Sequence, residues 1–89
     1  LQPTDILTRI TRYNLIRDRR LVYIDVHEAL HGQLAATFVA VPNLIHLIAK
    51  QEYQGLGETE AEALESCLGK IQNTSIEDLF PRKPNPAEP

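Results

Sequence analysis

The chain has 89 residues, 43% of them apolar and 24% charged, with a formal net charge of -3. That length holds one domain around a single thin core, and an ordinary apolar content lets it fold without a metal or a disulfide. The acidic balance gives no general pull toward nucleic acid, the single cysteine, Cys67, excludes an internal disulfide, and the longest apolar run, residues 44–49 with His46 inside it, is too short to cross a bilayer.

In PTDILTRITRYNLI, Ile6, Leu7, Ile10 and Leu15 or Tyr13 recur near one face at helical spacing. Pro3 suits a first turn and Thr4 or Asp5 a cap, so a helix is predicted over residues 3–14. RDRR, Arg17 to Arg20, reads as a solvated connector. In RLVYIDVHE, Val22, Ile24 and Val26 alternate with Leu21, Tyr23, Asp25 and His27, the period of a half-buried strand. ALHGQ is the turn that follows, with Gly32 as its residue of positive φ, and LAATFVAV is a second strand ended by Pro42 and Asn43. LIHLIAKQEYQ, residues 44–54, supplies a third strand, closing an antiparallel meander at whose edge it lies.

TEAEALESCLGKIQN carries the clearest helix signal. Thr59 and Glu62 have the spacing of a capping box, each side chain meeting the other residue's backbone N–H, and Leu64, Cys67, Leu68 and Ile71 recur as an apolar stripe. SIEDLF adds a short turn capped by Ser75, and PRKPNPAEP lacks the apolar content to fold. Residues 1–80 therefore form one folded unit and residues 81–89 a flexible proline-rich tail.

The three histidines, His27, His31 and His46, fall on different predicted elements, and no serine or cysteine sits in a nucleophile motif. The chain is expected not to be an enzyme and to hold neither cofactor nor metal; Cys67, on the apolar stripe, reads as a core residue. The strands are apolar on both faces, whereas two helices cover only one face of a sheet, so an apolar patch is left for a partner. The edge position of the third strand places that interface on Leu44, Ile45, Leu47, Ile48 and Tyr53.

Helix, three antiparallel strands, helix is the α-β-β-β-α plan, an α+β class with both helices packed on one face of the sheet. YIDVHEALHGQLAATFVAV resembles the first hairpin of the double-stranded RNA-binding domain family, and GLGETEAEAL resembles the Gly-x-Gly start of that family's last helix. The resemblance spans about Pro3 to Asn73. It implies RNA contacts from the first-helix residues Thr8, Arg9 and Arg12 and from the loop at His31 and Gly32, with lysines expected where Glu60 and Ala61 stand. Glutamate at such a position repels phosphate, so the chain resembles a degenerate member in which this contact is lost.

What the resemblance then implies is a non-catalytic dimerisation or protein-interaction module in an RNA-silencing or RNA-processing factor, intracellular and either cytoplasmic or nuclear. Its partner would be another domain of this kind or a second copy, with no membrane role. One alternative is weak duplex-RNA binding through Thr8, Arg9, Arg12, Arg17, Arg19, Arg20 and His31. Another is an antitoxin-like regulatory domain, because a short meander followed by Gly-x-Thr-x-x-Glu-Ala-Leu, here Gly57 to Leu64, also resembles bacterial antitoxins. The predicted N-terminal helix weighs against that second alternative.

Overall fold

The computed structural model of the chain describes residues 2–31 and 37–81. Its class is α+β with an antiparallel sheet, as expected, but the order of elements is different. Strands β1 (Leu7–Arg17), β2 (Arg20–His31), β3 (Phe38–Asn43) and β4 (Gly55–Gly57) form one four-stranded sheet in sequence order, and helices α1 (Glu60–Ile71) and α2 (Ile76–Leu79) both follow it. The predicted α-β-β-β-α order and its three strands are corrected accordingly.

The segment predicted as a first helix is β1. Its alternation places Arg9, Thr11, Tyr13, Leu15 and Arg17 on one side and Thr8, Ile10, Arg12, Asn14 and Ile16 on the other, and its threonines, isoleucines and tyrosine favour a pleated surface. Helical spacing was present by count, yet those apolar residues divide between the two faces. β1 pairs with β2 along its whole length, from Leu7 opposite His31 to Arg17 opposite Arg20. RDRR is thus the tip of a hairpin, with Asp18 at φ 52° and Arg19 at φ 63°. Positive φ at both central residues is the twist-compatible geometry of a two-residue hairpin turn.

Pro42 was expected to end the strand that contains it, and instead it lies within β3, opposite Ile24. Its carbonyl accepts from Ala49 N–H at 2.9 Å, on the side away from β2. Because a strand residue's N–H and C=O point the same way, the missing donor costs no bond to β2. The turn at Gly32 and the tail from residue 82 lie outside the described residues.

Residues 44–54 are not a third strand. Asn43 Oδ1 accepts from Ile45 N–H at 3.0 Å, Leu44 N–H donates to Leu47 O at 2.8 Å, and an isolated bridge joins Asn43 to Ile48. These bonds turn the chain back on itself before a 3-10 turn at Gln51–Tyr53, and the fourth strand is the Gly55–Gly57 segment itself. The sheet edges are β1 and β4.

One face of the sheet carries the core, in which Val22, Ile24 and Val26 of β2 and Ala40 of β3 lie under Ala63, Cys67 and Ile71 of α1 and Leu79 of α2, all nearly inaccessible. Glycine is required in β4 because α1 rides directly on it: a Cβ on Gly55 would strike Ala63 O and Cys67 N, and one on Gly57 would come within 2.5 Å of Ala63 N. Of the predicted stripe, Cys67 and Ile71 are buried as expected, and Ala63 joins them where Leu68 was expected. Ala63, Cys67 and Ile71 are buried and Leu64 is half-buried, while Leu68 is exposed, since the close approach over glycines favours the small residue at position 63.

Thr59 caps α1 by accepting from Glu62 N–H at 3.1 Å, as expected, but the Glu62 carboxylate reaches Glu58 N–H at 3.0 Å rather than that of Thr59. Ser75 caps α2 by accepting from Asp78 N–H at 3.2 Å. At the other end of α1, Arg17 donates to Ile71 O at 2.9 Å and Thr74 O at 2.6 Å, satisfying carbonyls that a helix terminus leaves open.

Candidate functional site

Among the described residues, no helix or other segment lies across the face of the sheet opposite the helices. From β1 that face presents Thr8, Ile10, Arg12, Asn14 and Ile16; from β2, Leu21, Tyr23, Asp25 and His27; from β3, Val39, Val41 and Asn43; from β4, Leu56. Ile10, Ile16, Leu21 and Leu56 are exposed. In the middle stands a polar network. Arg12 Nε donates to Asp25 Oδ1 at 2.7 Å and its terminal nitrogen to Oδ2 at 2.9 Å, a two-pronged ion pair. Asn43 Nδ2 donates to Asp25 Oδ2 at 3.0 Å, and the Arg12 guanidinium lies 4.3 Å from the centroid of the Tyr23 ring. Asp25 and Asn43 are both buried. The Arg12 hydrogen bond, aided by Asn43 and opposed by burial, holds the Asp25 carboxyl below its ordinary pKa, and the same pairing raises that of Arg12.

The network continues into the 44–48 loop. Asn43, tied to Asp25 on one side, takes Ile45 N–H on the other, and Ile45 is held at φ 76°. A β-branched residue in the left-handed region costs on the order of 1 to 3 kcal/mol and persists only when its surroundings enforce it. Here the enforcement presents apolar side chains to water: Ile45 is 66% exposed, Ile48 68%, and Leu47 is exposed beside them.

Of the interface residues predicted from sequence, the loop brings Ile45, Leu47 and Ile48 together at the surface, with Leu44 half-buried at its base. They display on a turn rather than along a strand edge. Tyr53 lies apart from them, half-buried against the core, and its carbonyl accepts from the Cys67 thiol at 3.4 Å. Burial pushes that thiol up to about 11, so Cys67 is held protonated as a core group.

The predicted RNA-contact residues do not form one surface. Arg9 and Arg17 project to the helix side of β1, while Thr8 and Arg12 project to the open side. Most of these arginines have internal partners: Arg9 lies 3.8 Å from Glu28, Arg12 binds Asp25, Arg17 caps α1, and Arg20 lies 2.5 Å from Glu77. Arg19 is exposed in the hairpin turn, and His31 ends β2 far from it. Thr8 Oγ1 is 3.3 Å from His27 Nδ1 across the open face. Where the resemblance expects lysines, Glu60 stands beside Tyr13, and its nearby carboxylate holds that phenol above its ordinary pKa.

What sequence reasoning missed is the Arg12–Asp25–Asn43 network. Its signal was available only through register: Arg12 and Asp25 are 13 positions apart and become opposite once β1 is a strand.

Among the described residues no group of three or more metal-ligating side chains is assembled, and no helix is long and apolar enough to cross a membrane. Compared with protein-family models, curated proteins and solved structures, the chain matches none.

Proposed function

We propose that this chain is a non-catalytic protein-interaction module that engages its partner through the 44–48 loop. The observation that carries this reading is the strained Ile45, fixed by Asn43 and displaying Ile45, Leu47 and Ile48 to solvent. A rigid apolar projection loses little conformational freedom when it enters a partner's pocket, and large side chains in such a position carry most of the affinity at protein interfaces.

Of the two kinds of module that the sequence resembles, the antitoxin-like regulatory domain agrees better with the order of elements. The objection to it was an N-terminal helix, and that segment is β1. Four antiparallel strands followed at once by Gly57-x-Thr59-x-x-Glu62-Ala63-Leu64, with Thr59 as the helix cap, fit that description. The double-stranded RNA-binding reading needs a helix ahead of the sheet and free cations at the start of α1, where Glu58, Glu60 and Glu62 stand.

The experiment has two arms. The chain, immobilised, is offered an extract of its source, and its captured protein is identified and then titrated against purified Ile48→Asp. The substitution is expected to abolish capture while the far-ultraviolet circular dichroism of the chain stays unchanged; capture that survives it places the interface elsewhere. In the second arm a duplex RNA of about 16 base pairs, the span of one such RNA-binding domain, is expected to bind weakly at near-physiological salt. Tight binding with a steep salt dependence would return the chain to the RNA-binding reading.

A further inference from the structure

Resting on the reading of the chain as an interaction module, but on a surface that reading does not use, we infer that the open face of the sheet pairs with the same face of a second copy. Charge selects this occupant. The first two turns of α1 and the residues before them carry Glu58, Glu60, Glu62 and Glu65, and the only cation on that helix is Lys70 in its last turn, so two copies meeting over the start of α1 would oppose mostly like charges. The long edge is no better: antiparallel pairing of β1 with its own copy over its full length sets Arg12 opposite Arg12.

The open face is neutral. Its two formal charges, Arg12 and Asp25, neutralise each other, and the Asp25 carboxylate is further satisfied by Asn43. Covering the network therefore strands no charge, which is the condition for burying an ion pair without a large penalty. The face is also self-complementary. Its turn end is apolar through Ile16 and Leu21, its far end through Ile10, Val39 and Leu56, and the polar band lies between them. A two-fold axis crossing the face at the level of Tyr13 lays the turn end of one copy on the far end of the other.

The size suits a weak pairing. A hairpin of 11-residue and 12-residue strands with the shorter β3 and β4 beside it has an outline of roughly 500 Å² at about 4.8 Å per strand and 3.3 Å per residue. That outline is below the roughly 800 Å² that a standard interface takes from each partner and in the range of a weak, reversible one. Two such sheets packed face to face form a sandwich about 10 Å deep.

Sedimentation equilibrium of the full chain over micromolar to millimolar concentrations tests this. A reversible dimer is expected, weakened about tenfold or more by Ile16→Lys or Leu56→Lys, since each places a charge at the centre of an apolar end. Ile48→Asp is expected to leave the dimer intact, so a failure of dimerisation and a failure of partner capture are separate results. Should either lysine variant unfold, amide chemical shifts of the unmodified chain on dilution give the second reading, with changes confined to β1, β2, β3 and β4 residues of the open face. A single-chain mass throughout, a dimer indifferent to both lysine variants, one dissolved by Ile48→Asp, or dilution shifts on α1 or the 44–48 loop would each overturn the inference.

Discussion

The two faces of the sheet are built from the same strands and differ in what happens at their centres. On the helix side the middle of β2 is Ile24, 1% exposed, pressed against α1; one residue along, on the other side, it is Asp25, also buried but held by an arginine and an asparagine. Burial by packing makes the first centre a source of stability. Burial among hydrogen-bonding neighbours makes the second a device for position, because removing any member leaves the others unpaired. The exposed isoleucines and leucines around Asp25 are therefore not a weaker copy of the core. They surround a fixed polar scaffold whose last member holds the 44–48 loop.

That contrast breaks most visibly under truncation. Ile24→Ala is expected to cost about 2 to 5 kcal/mol, whereas Ile16→Ala, 65% exposed on the other face, is expected to change stability by about 0.5 kcal/mol or less at monomer concentrations. Denaturant titration of the two variants measures both. Equal losses would mean that the open face is already a core within one chain.

A smaller effect sharpens the role of the polar centre. Asp25→Ala strands the Asn43 amide and is expected to cost about 1 to 3 kcal/mol, with faster amide exchange at Ile45 as the specific sign that the loop has lost its tether. The pH dependence follows in sign. Since folding lowers the Asp25 pKa, its contribution is present above the unfolded value of about 4 and is lost as pH falls through the lower folded value. Thermal melts below pH 4 should show an acid limb that is shallower in Asp25→Asn.

The smallest expected effect is a gain. Gly69 lies in α1 with nothing within 4 Å of the position a Cβ would take. Gly69→Ala should therefore stabilise the chain by about 0.5 to 1 kcal/mol, since alanine favours the helix and restricts the unfolded chain. A destabilised Gly69→Ala would mean that this side of α1 is not open in the folded chain.

How much of this was legible in the sequence differs by element. β2 and α1 were readable because their patterns agree with their propensities: Val22, Ile24 and Val26 alternate, and Thr59 with Glu62 announces a helix start. β1 was not, because apolar residues divided between the two faces of a strand also satisfy a helical count, and only the β-branched content of TRIT spoke against it. The 44–48 loop was legible in its residues and not in its shape. Leu44 to Ile48 reads as strand until Asn43 intercepts Ile45 N–H, an event set by Asp25 18 positions away. The Gly-x-Gly pair was visible as a motif, but its purpose is the close passage of α1 over β4.

Arg17 sets an order of assembly for the chain as it leaves the ribosome. The β1–β2 hairpin can close once residue 31 is available, yet the two carbonyls that Arg17 holds, at Ile71 and Thr74, are made only after the rest of the sheet and the whole of α1. At about 5 to 20 residues per second the hairpin waits several seconds with one of its faces bare. Through that interval Arg12 and Arg9 already have their hairpin partners in Asp25 and Glu28, while Arg17 has none until the end of α1 arrives to be capped.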